Sequence, residues 1–237
     1  MRKDKRLIVI SGGSKGIGKA IIESFAANGF DIATFSRNEK EINNLKKEVE
    51  KEYNVSVFVK AIDITNREEV NKFAADVLKL YQHPTVLVNN AGIFTPGQIQ
   101  NEADGVLEDT MNVNLNGSYY LTRAFLPSMI KAKKGHVFTM CSIASITAYT
   151  NSGSYCISKF ALLGFNKVLR EEMKEHNIKV TSILPGATYT ASWEGAGIPE
   201  DRFMSSKDIA DTVWAAYNLG PQAVVEEIVL RPILGDI

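Results

Sequence analysis

Leu7-Ile8-Val9-Ile10-Ser11-Gly12-Gly13-Ser14-Lys15-Gly16-Ile17-Gly18 runs from an aliphatic stretch straight into a glycine-rich turn. Four consecutive aliphatic residues suit a strand buried on both faces, the pattern of a parallel sheet. Ile17, Ile21 and Phe25 then recur at helical spacing, so the turn opens a helix. Glycines allow a tight turn and close approach to the backbone, and free N–H groups at a helix N-terminus suit a diphosphate. The spacing, Gly12-x3-Gly16-x-Gly18, departs from the usual dinucleotide fingerprint. Its position directly after the first strand is what gives it weight.

Outward from that turn the alternation repeats. Asn28-Gly29 closes the first helix, and Asp31 to Ser36 reads as the second strand. A charged helix over 38–53 leads to a third strand from Val55 to Val59. Thr65 is placed to cap the next helix, with Glu68 completing a capping box, and Pro84 stops it. Val86 to Val88 gives the fourth strand, a long helical pattern runs over 103–131, and His136 to Met140 gives the fifth strand. The next helix carries Tyr155 and Lys159 to about Glu175. Val180 to Leu184 is the sixth strand, and a helix near 207–218 precedes a last strand at Ile228 to Leu230. Strand and helix in turn predict an α/β fold, a doubly wound sheet of about seven parallel strands with helices on both faces. No repeat or linker interrupts it, so residues 1–237 are expected to form a single domain with a lid at about 187–206.

Composition narrows the function. Lys and Arg number 27 against 27 Asp and Glu, so no basic excess points to nucleic acid or an anionic membrane. The basic start is followed by an apolar run too short for a signal peptide or a spanning helix. Cys141 and Cys156 form no disulfide framework and read as small buried packing residues, which suits a reducing cytoplasm. His83, His136 and His176 are scattered without metal-ligand spacing and read as surface or loop residues, so no metal is expected.

The end of the second strand bears on the cofactor. An acid that would bind ribose hydroxyls is missing from Thr34-Phe35-Ser36-Arg37-Asn38. Arg37 can pair a 2′-phosphate through its planar fork, and Lys15 adds a second cation, so NADP(H) is the expected cofactor. Tyr155 and Lys159 stand one turn apart on a helix, a spacing that also suits any pair of surface neighbours. An ammonium near a phenol favours the phenolate, which would let Tyr155 exchange a proton near neutral pH.

These features together resemble the short-chain dehydrogenase/reductase family over nearly the whole chain, and the resemblance implies a Rossmann fold. Ser11 to Gly18, with Gly12, Ser14, Lys15, Gly16 and Ile17, resembles the cofactor turn. Ser36 and Arg37 fall at the 2′-phosphate position, and Asp63-Ile64 resembles the adenine-contacting pair. Asn90-Ala91-Gly92, after Asn89, is similar to the signature that passes under the cofactor. Pro185-Gly186, Thr188 and Thr190 match the segment that holds the nicotinamide carboxamide. Asn114, Ser142, Tyr155 and Lys159 match the catalytic tetrad. The resemblance implies that Tyr155 protonates a carbonyl oxygen as hydride arrives from the pro-S face of the nicotinamide. Ser142 would orient that oxygen, Lys159 would also hold the nicotinamide ribose, and Asn114 would anchor a water leading to Lys159.

The substrate is expected under the lid, where Tyr189 and Trp193 suit a flat or apolar carbonyl compound or simply pack the lid down. The ending Val224 to Pro232 and Leu234 to Ile237, with Gly186 to Thr190 and Trp193, resembles a bacterial sepiapterin-reductase-like branch. The expected activity is therefore NADPH-dependent reduction of a small ketone or diketone. The alternatives are a 3-oxoacyl-[acyl-carrier-protein] reductase, for which Lys133 and Arg170 would be docking residues, and a non-catalytic dinucleotide-binding sensor. Family habit implies a homodimer or homotetramer, with Leu115, Tyr119, Phe125, Leu162 and Phe165 as candidate contact residues.

Overall fold

The computed structural model describes residues 5–190, 195 and 197–236. Along β1 (Leu7–Ser11) the side chains alternate, Ile8 and Ile10 entering one core and Leu7 and Val9 the other. The remaining strands are β2 (Asp31–Ser36), β3 (Val57–Ala61), β4 (Val86–Asn89), β5 (Gly135–Met140), β6 (Ile178–Pro185) and β7 (Glu227–Leu230). They form one seven-stranded sheet in the order β3-β2-β1-β4-β5-β6-β7, with every pair parallel. The helices are α1 (Gly16–Ala27), α2 (Glu39–Tyr53), α3 (Arg67–Leu80), α4 (Val106–Met111), α5 (Gly117–Ala132), α6 (Gly153–Met173) and α7 (Ser206–Tyr217). Helices α1, α2 and α7 cover one face through Ile21, Phe25, Ile42, Leu45 and Val213. Helices α3, α5 and α6 cover the other through Phe73, Val77, Leu121, Phe125 and Leu169. This is a Rossmann-like doubly wound fold.

Several local expectations are corrected. The third strand begins at Val57 rather than Val55, because Ser56 N donates to the Asp31 carboxylate (2.9 Å) at the mouth of β2. Asn66, not Thr65, caps α3, accepting from the N–H groups of Glu68 and Glu69. The Thr65 hydroxyl is held by Asp63 Oδ1 at 2.9 Å and is unavailable for the cap. Helix α3 ends at Leu80, ahead of Pro84, where Tyr81 turns extended and buries its ring with the hydroxyl on Asp31 (3.0 Å). The long pattern over 103–131 starts only after Gly105 (φ 91°), and a π-helical turn at Asn112–Asn116 separates α4 from α5. Phe125 and Leu162 lie in the interior of this chain, so they cannot line a subunit contact, whereas Tyr119 is exposed.

His136 is the clearest departure, because it is buried rather than on the surface. It lies on β5 and stacks on Phe138 (ring centroids 3.9 Å apart). Thr181 gives its hydroxyl proton to Val225 O (2.6 Å), so it accepts from His136 Nε2 (2.7 Å). Burial, with Lys179 adding repulsion, pushes the imidazole down to about 3. The folded state thus keeps His136 neutral, while the unfolded chain takes up a proton as pH drops below its ordinary value of 6.5. Its contribution to stability is full above 6.5 and is lost progressively down to about 3, on the order of a few kcal/mol. Urea denaturation across that window should show a shallower pH slope for His136→Gln than for the native chain; equal slopes would contradict the assignment.

Candidate active site

At the carboxyl ends of β1 and β4 the chain departs to opposite faces of the sheet, α1 to one side and the α4–α5 segment to the other. A cleft opens there, the topological switch point of such sheets. Its floor is made of backbone. Ser11 is fully buried, and its hydroxyl accepts from the N–H groups of Asn90 and Ala91 (both 3.0 Å). Asn90 Nδ2 returns two bonds, to Ser11 O (2.9 Å) and Gly12 O (3.1 Å). Ser11 therefore lies beneath the cleft, bracing the turn, and does not line it. The glycines meet real steric demands. Gly12 has φ 68°, and a Cβ at Gly18 would lie 2.4 Å from Gly12 O.

Two adjoining cavities fill the cleft, sharing Ile17, Asn90, Gly92, Ile93 and Thr190. The first, about 310 Å³, is lined by Gly12, Ser14, Lys15, Gly16, Ile17 and Gly18 from the turn. Ser36 and Arg37 join it from the end of β2, Asp63 and Ile64 follow β3, and Ala91 follows β4. The second, about 440 Å³, is lined by Ser142, Tyr155, Lys159, Pro185, Gly186 and Thr188, together with Phe94, Tyr149 and Asp236.

Three of the four tetrad residues meet at the second cavity. Ser142 follows β5 and opens a short 3-10 turn. Its Oγ accepts from Ala144 N (3.1 Å), which leaves the hydroxyl proton free to be donated into the cavity. Lys159 is buried, and its ammonium donates to Met140 O (2.8 Å), fixing α6 to the end of β5. Its Nζ stands 5.7 Å from the Tyr155 ring centroid. Asn114 lies behind them, turned inward by the π-helical turn and fully buried. Its Oδ1 accepts from Ile93 N (2.8 Å), and its Nδ2 donates to Ile93 O (3.1 Å) and Ser158 Oγ (2.9 Å). Gly92 keeps the space between Asn114 and Lys159 open. A Cβ there would stand 3.3 Å from Asn114 Oδ1 and 3.6 Å from Lys159 Nζ.

Other expected residues take different places. Tyr189 rests its ring on Phe203 (5.7 Å) and pairs its N–H with Met204 O (2.9 Å), so it pins the lid and does not line the cavity. Trp193 lies outside the described residues. Cys141 and Cys156 are buried, and burial pushes the Cys141 thiol up to about 11, well away from thiolate chemistry. No cluster of metal-ligating side chains occurs among the described residues. Arg170 is paired with Glu226 (3.1 Å).

The sequence reading missed Phe94, Tyr149 and Asp236. Phe94 stands edge-on to Tyr155, with centroids 5.0 Å apart. Tyr149 donates to Asp236 Oδ2 (2.5 Å), which also pairs with Arg231. These contacts hold the Asp236 carboxyl below the usual range. Asp236 Oδ1 is buried with no partner among the described residues. Only the fold brings this near-terminal acid to the cavity, and no local motif announces it.

The short chain dehydrogenase family profile matches residues 6–200. A sepiapterin reductase from Chlorobaculum tepidum is 33% identical over 244 residues, covering 98% of each chain. An alcohol dehydrogenase from the archaeon Thermococcus sibiricus, solved with 5-hydroxy-NADP, superposes with a TM-score of 0.90 at 26% identity over 97% of each chain. A metagenomic short-chain oxidoreductase in complex with NADP superposes with a TM-score of 0.84 at 28% identity over 96% of each.

Proposed function

Because the chain belongs to the short chain dehydrogenase family, we propose that it is an NADP(H)-dependent reductase of a small, flat ketone or diketone. The observation that carries this reading is that Ser142, Tyr155 and Lys159 line a cavity continuous with the one over the glycine turn. NADP(H) fits the residues present. Gly12 and Gly18 let the turn pack directly on Asn90 and on its own backbone, which sets the α1 N-terminus at the edge of the cavity where a diphosphate would sit. Lys15 and Arg37 line the same cavity, and the stretch Ser36-Arg37-Asn38 that ends β2 carries no acid, while Glu41 beyond it accepts from Ser14 at 3.4 Å. Asp63 and Ile64 would flank the adenine, and Pro185, Gly186, Thr188 and Thr190 would hold the nicotinamide end. Two relatives at 26% and 28% identity were solved with NADP-type ligands, which supports the choice.

When bound, the reduced nicotinamide supplies a hydride. Tyr155 gives its phenolic proton to the carbonyl oxygen, and Ser142 donates a second hydrogen bond that steadies the charge growing there. The Lys159 ammonium stabilises the negative charge left on Tyr155 and is held for that task by Met140 O. Asn114, bonded to Ile93 and Ser158, borders the opening beside Lys159 through which a water would resupply the proton. Phe94 walls the cavity on the Tyr155 side, and Tyr149 and Asp236 line it as well. A planar carbonyl compound such as a pterin suits this aromatic wall, and the relative that is 33% identical is a sepiapterin reductase. A carrier-bound 3-oxoacyl thioester is the weaker reading, because Arg170 is already engaged by Glu226. We take the enzyme as one cytoplasmic domain that pairs through the exposed stripe of Ile157, Phe160 and Val168 on α6.

NADPH oxidation should be fastest with sepiapterin or a simple diketone and slow with acetoacetyl thioesters; the reverse order would favour the thioester reading. Tyr155→Phe should lower turnover about 10²–10⁴-fold while NADPH still binds, and undiminished turnover would overturn the mechanism. The native enzyme should show higher kcat/KM with NADPH than with NADH. Arg37→Ala should narrow that ratio by roughly tenfold or more, as expected for a lost bond to a charged group. An unchanged ratio would remove Arg37 from the phosphate site.

A further inference from the structure

Helix α6 begins at Gly153, so Tyr155 sits in its first turn, where N–H groups lack helical partners. The helix supplies no cap of its own. Ser152 makes no side-chain capping bond, and the first turn contains no acid. The missing acceptor comes from the loop after β4. Glu102 Oε1 accepts from Ser154 N (2.9 Å), and its other oxygen accepts from the Ser154 hydroxyl. An N-cap side chain would ordinarily perform this task, and an anion at a helix N-terminus also meets the positive end of the helix dipole.

The loop is built to bring the carboxylate there. Gly97 N donates to Asn151 O (2.9 Å), and Gly153 N donates to Gly97 O (3.0 Å). Gln98 Nε2 adds a bond to Asn151 Oδ1 (2.8 Å). A Cβ at Gly97 would lie 2.6 Å from Glu102 Cγ, and one at Gly153 would lie 2.9 Å from Ile99 Cγ1 and 3.1 Å from Glu102 Oε1. The same loop carries Phe94, whose ring rests edge-on against Tyr155. One segment therefore holds the Tyr155 turn twice, by its backbone through Glu102 and by its ring through Phe94.

We infer that Glu102 is a positioning residue for Tyr155, capping α6 from a separate loop so that the phenol is held at the substrate carbonyl. The inference rests on Tyr155 being the proton donor. The Ser154 bonds hold the Glu102 carboxyl below its ordinary range, so the cap is charged at neutral pH. A 1 Å displacement of a reacting group can cost up to about 10²-fold in rate.

The test compares Glu102→Ala and Glu102→Gln in the full chain, with butane-2,3-dione and sepiapterin as substrates and amide hydrogen exchange as a readout independent of turnover. Glu102→Ala should lower kcat roughly tenfold, leave KM for NADPH within about twofold, and speed exchange at Ser154 by roughly tenfold. Glu102→Gln keeps one acceptor oxygen and should recover most of both losses. Unchanged kcat and exchange in Glu102→Ala, or a Gln variant as impaired as Ala, would overturn the inference. An inactive Tyr155→Phe beside a fully active Glu102→Ala would overturn this inference alone, whereas an active Tyr155→Phe would overturn the proton-donor reading beneath it.

Discussion

The bond pair between Ser11 and the Asn90–Ala91 backbone fixes the geometry on which the cleft depends. β1 and β4 are neighbours in the sheet, yet the helices that follow them leave to opposite faces. No helix can cover the gap between their ends, and backbone N–H and C=O groups there would be left open to solvent. Ser11 and Asn90 satisfy four of these groups from the two strands themselves, with contacts of 2.9–3.1 Å. The gap thereby becomes a firm floor at the mouth of α1. A buried polar group left unpaired here would cost about 1–3 kcal/mol. The same bonds thus serve stability and binding together.

The reacting half of the cleft depends on a different tie. Burying an ammonium is unfavourable without partners, and Lys159 is compensated by Met140 O at the end of β5. That bond docks α6 onto β5 and brings Lys159 and Tyr155 beside Ser142, which follows the same strand. Asn114 adds the third element, since the π-helical turn points its amide at Ile93 and Ser158 instead of at solvent. Chemistry-bearing groups from three separate stretches converge because parallel strands present all their carboxyl ends on one side.

Much of this was legible in the sequence, for reasons that differ by residue. The β1 run and its glycines are local signals, since an aliphatic strand and positive φ leave marks in single positions. Tyr155 and Lys159 stand one helical turn apart, a spacing any surface pair can show, and they became legible only through the resemblance carried by the motifs around them. Asp236 and Glu102 were not, because each acts on a segment distant in sequence, and neither its own neighbours nor its spacing betrays the partner. His136 was misread as a surface residue because its partner, Thr181, lies on the adjacent strand β6, a pairing invisible to a local reading. Tyr189 stayed open between substrate and lid because an aromatic lid residue can face either, and local sequence does not show that its ring rests on Phe203.

The central claim is that the cleft delivers the pro-S hydride of the nicotinamide directly to a carbonyl carbon. Reduction with NADPH deuterated at the pro-S position, in ordinary water, tests it most directly. Mass spectrometry of the alcohol should find one deuterium, bound to the new carbinol carbon. Deuterium retained on the oxidised cofactor, or lost to solvent, would contradict the account.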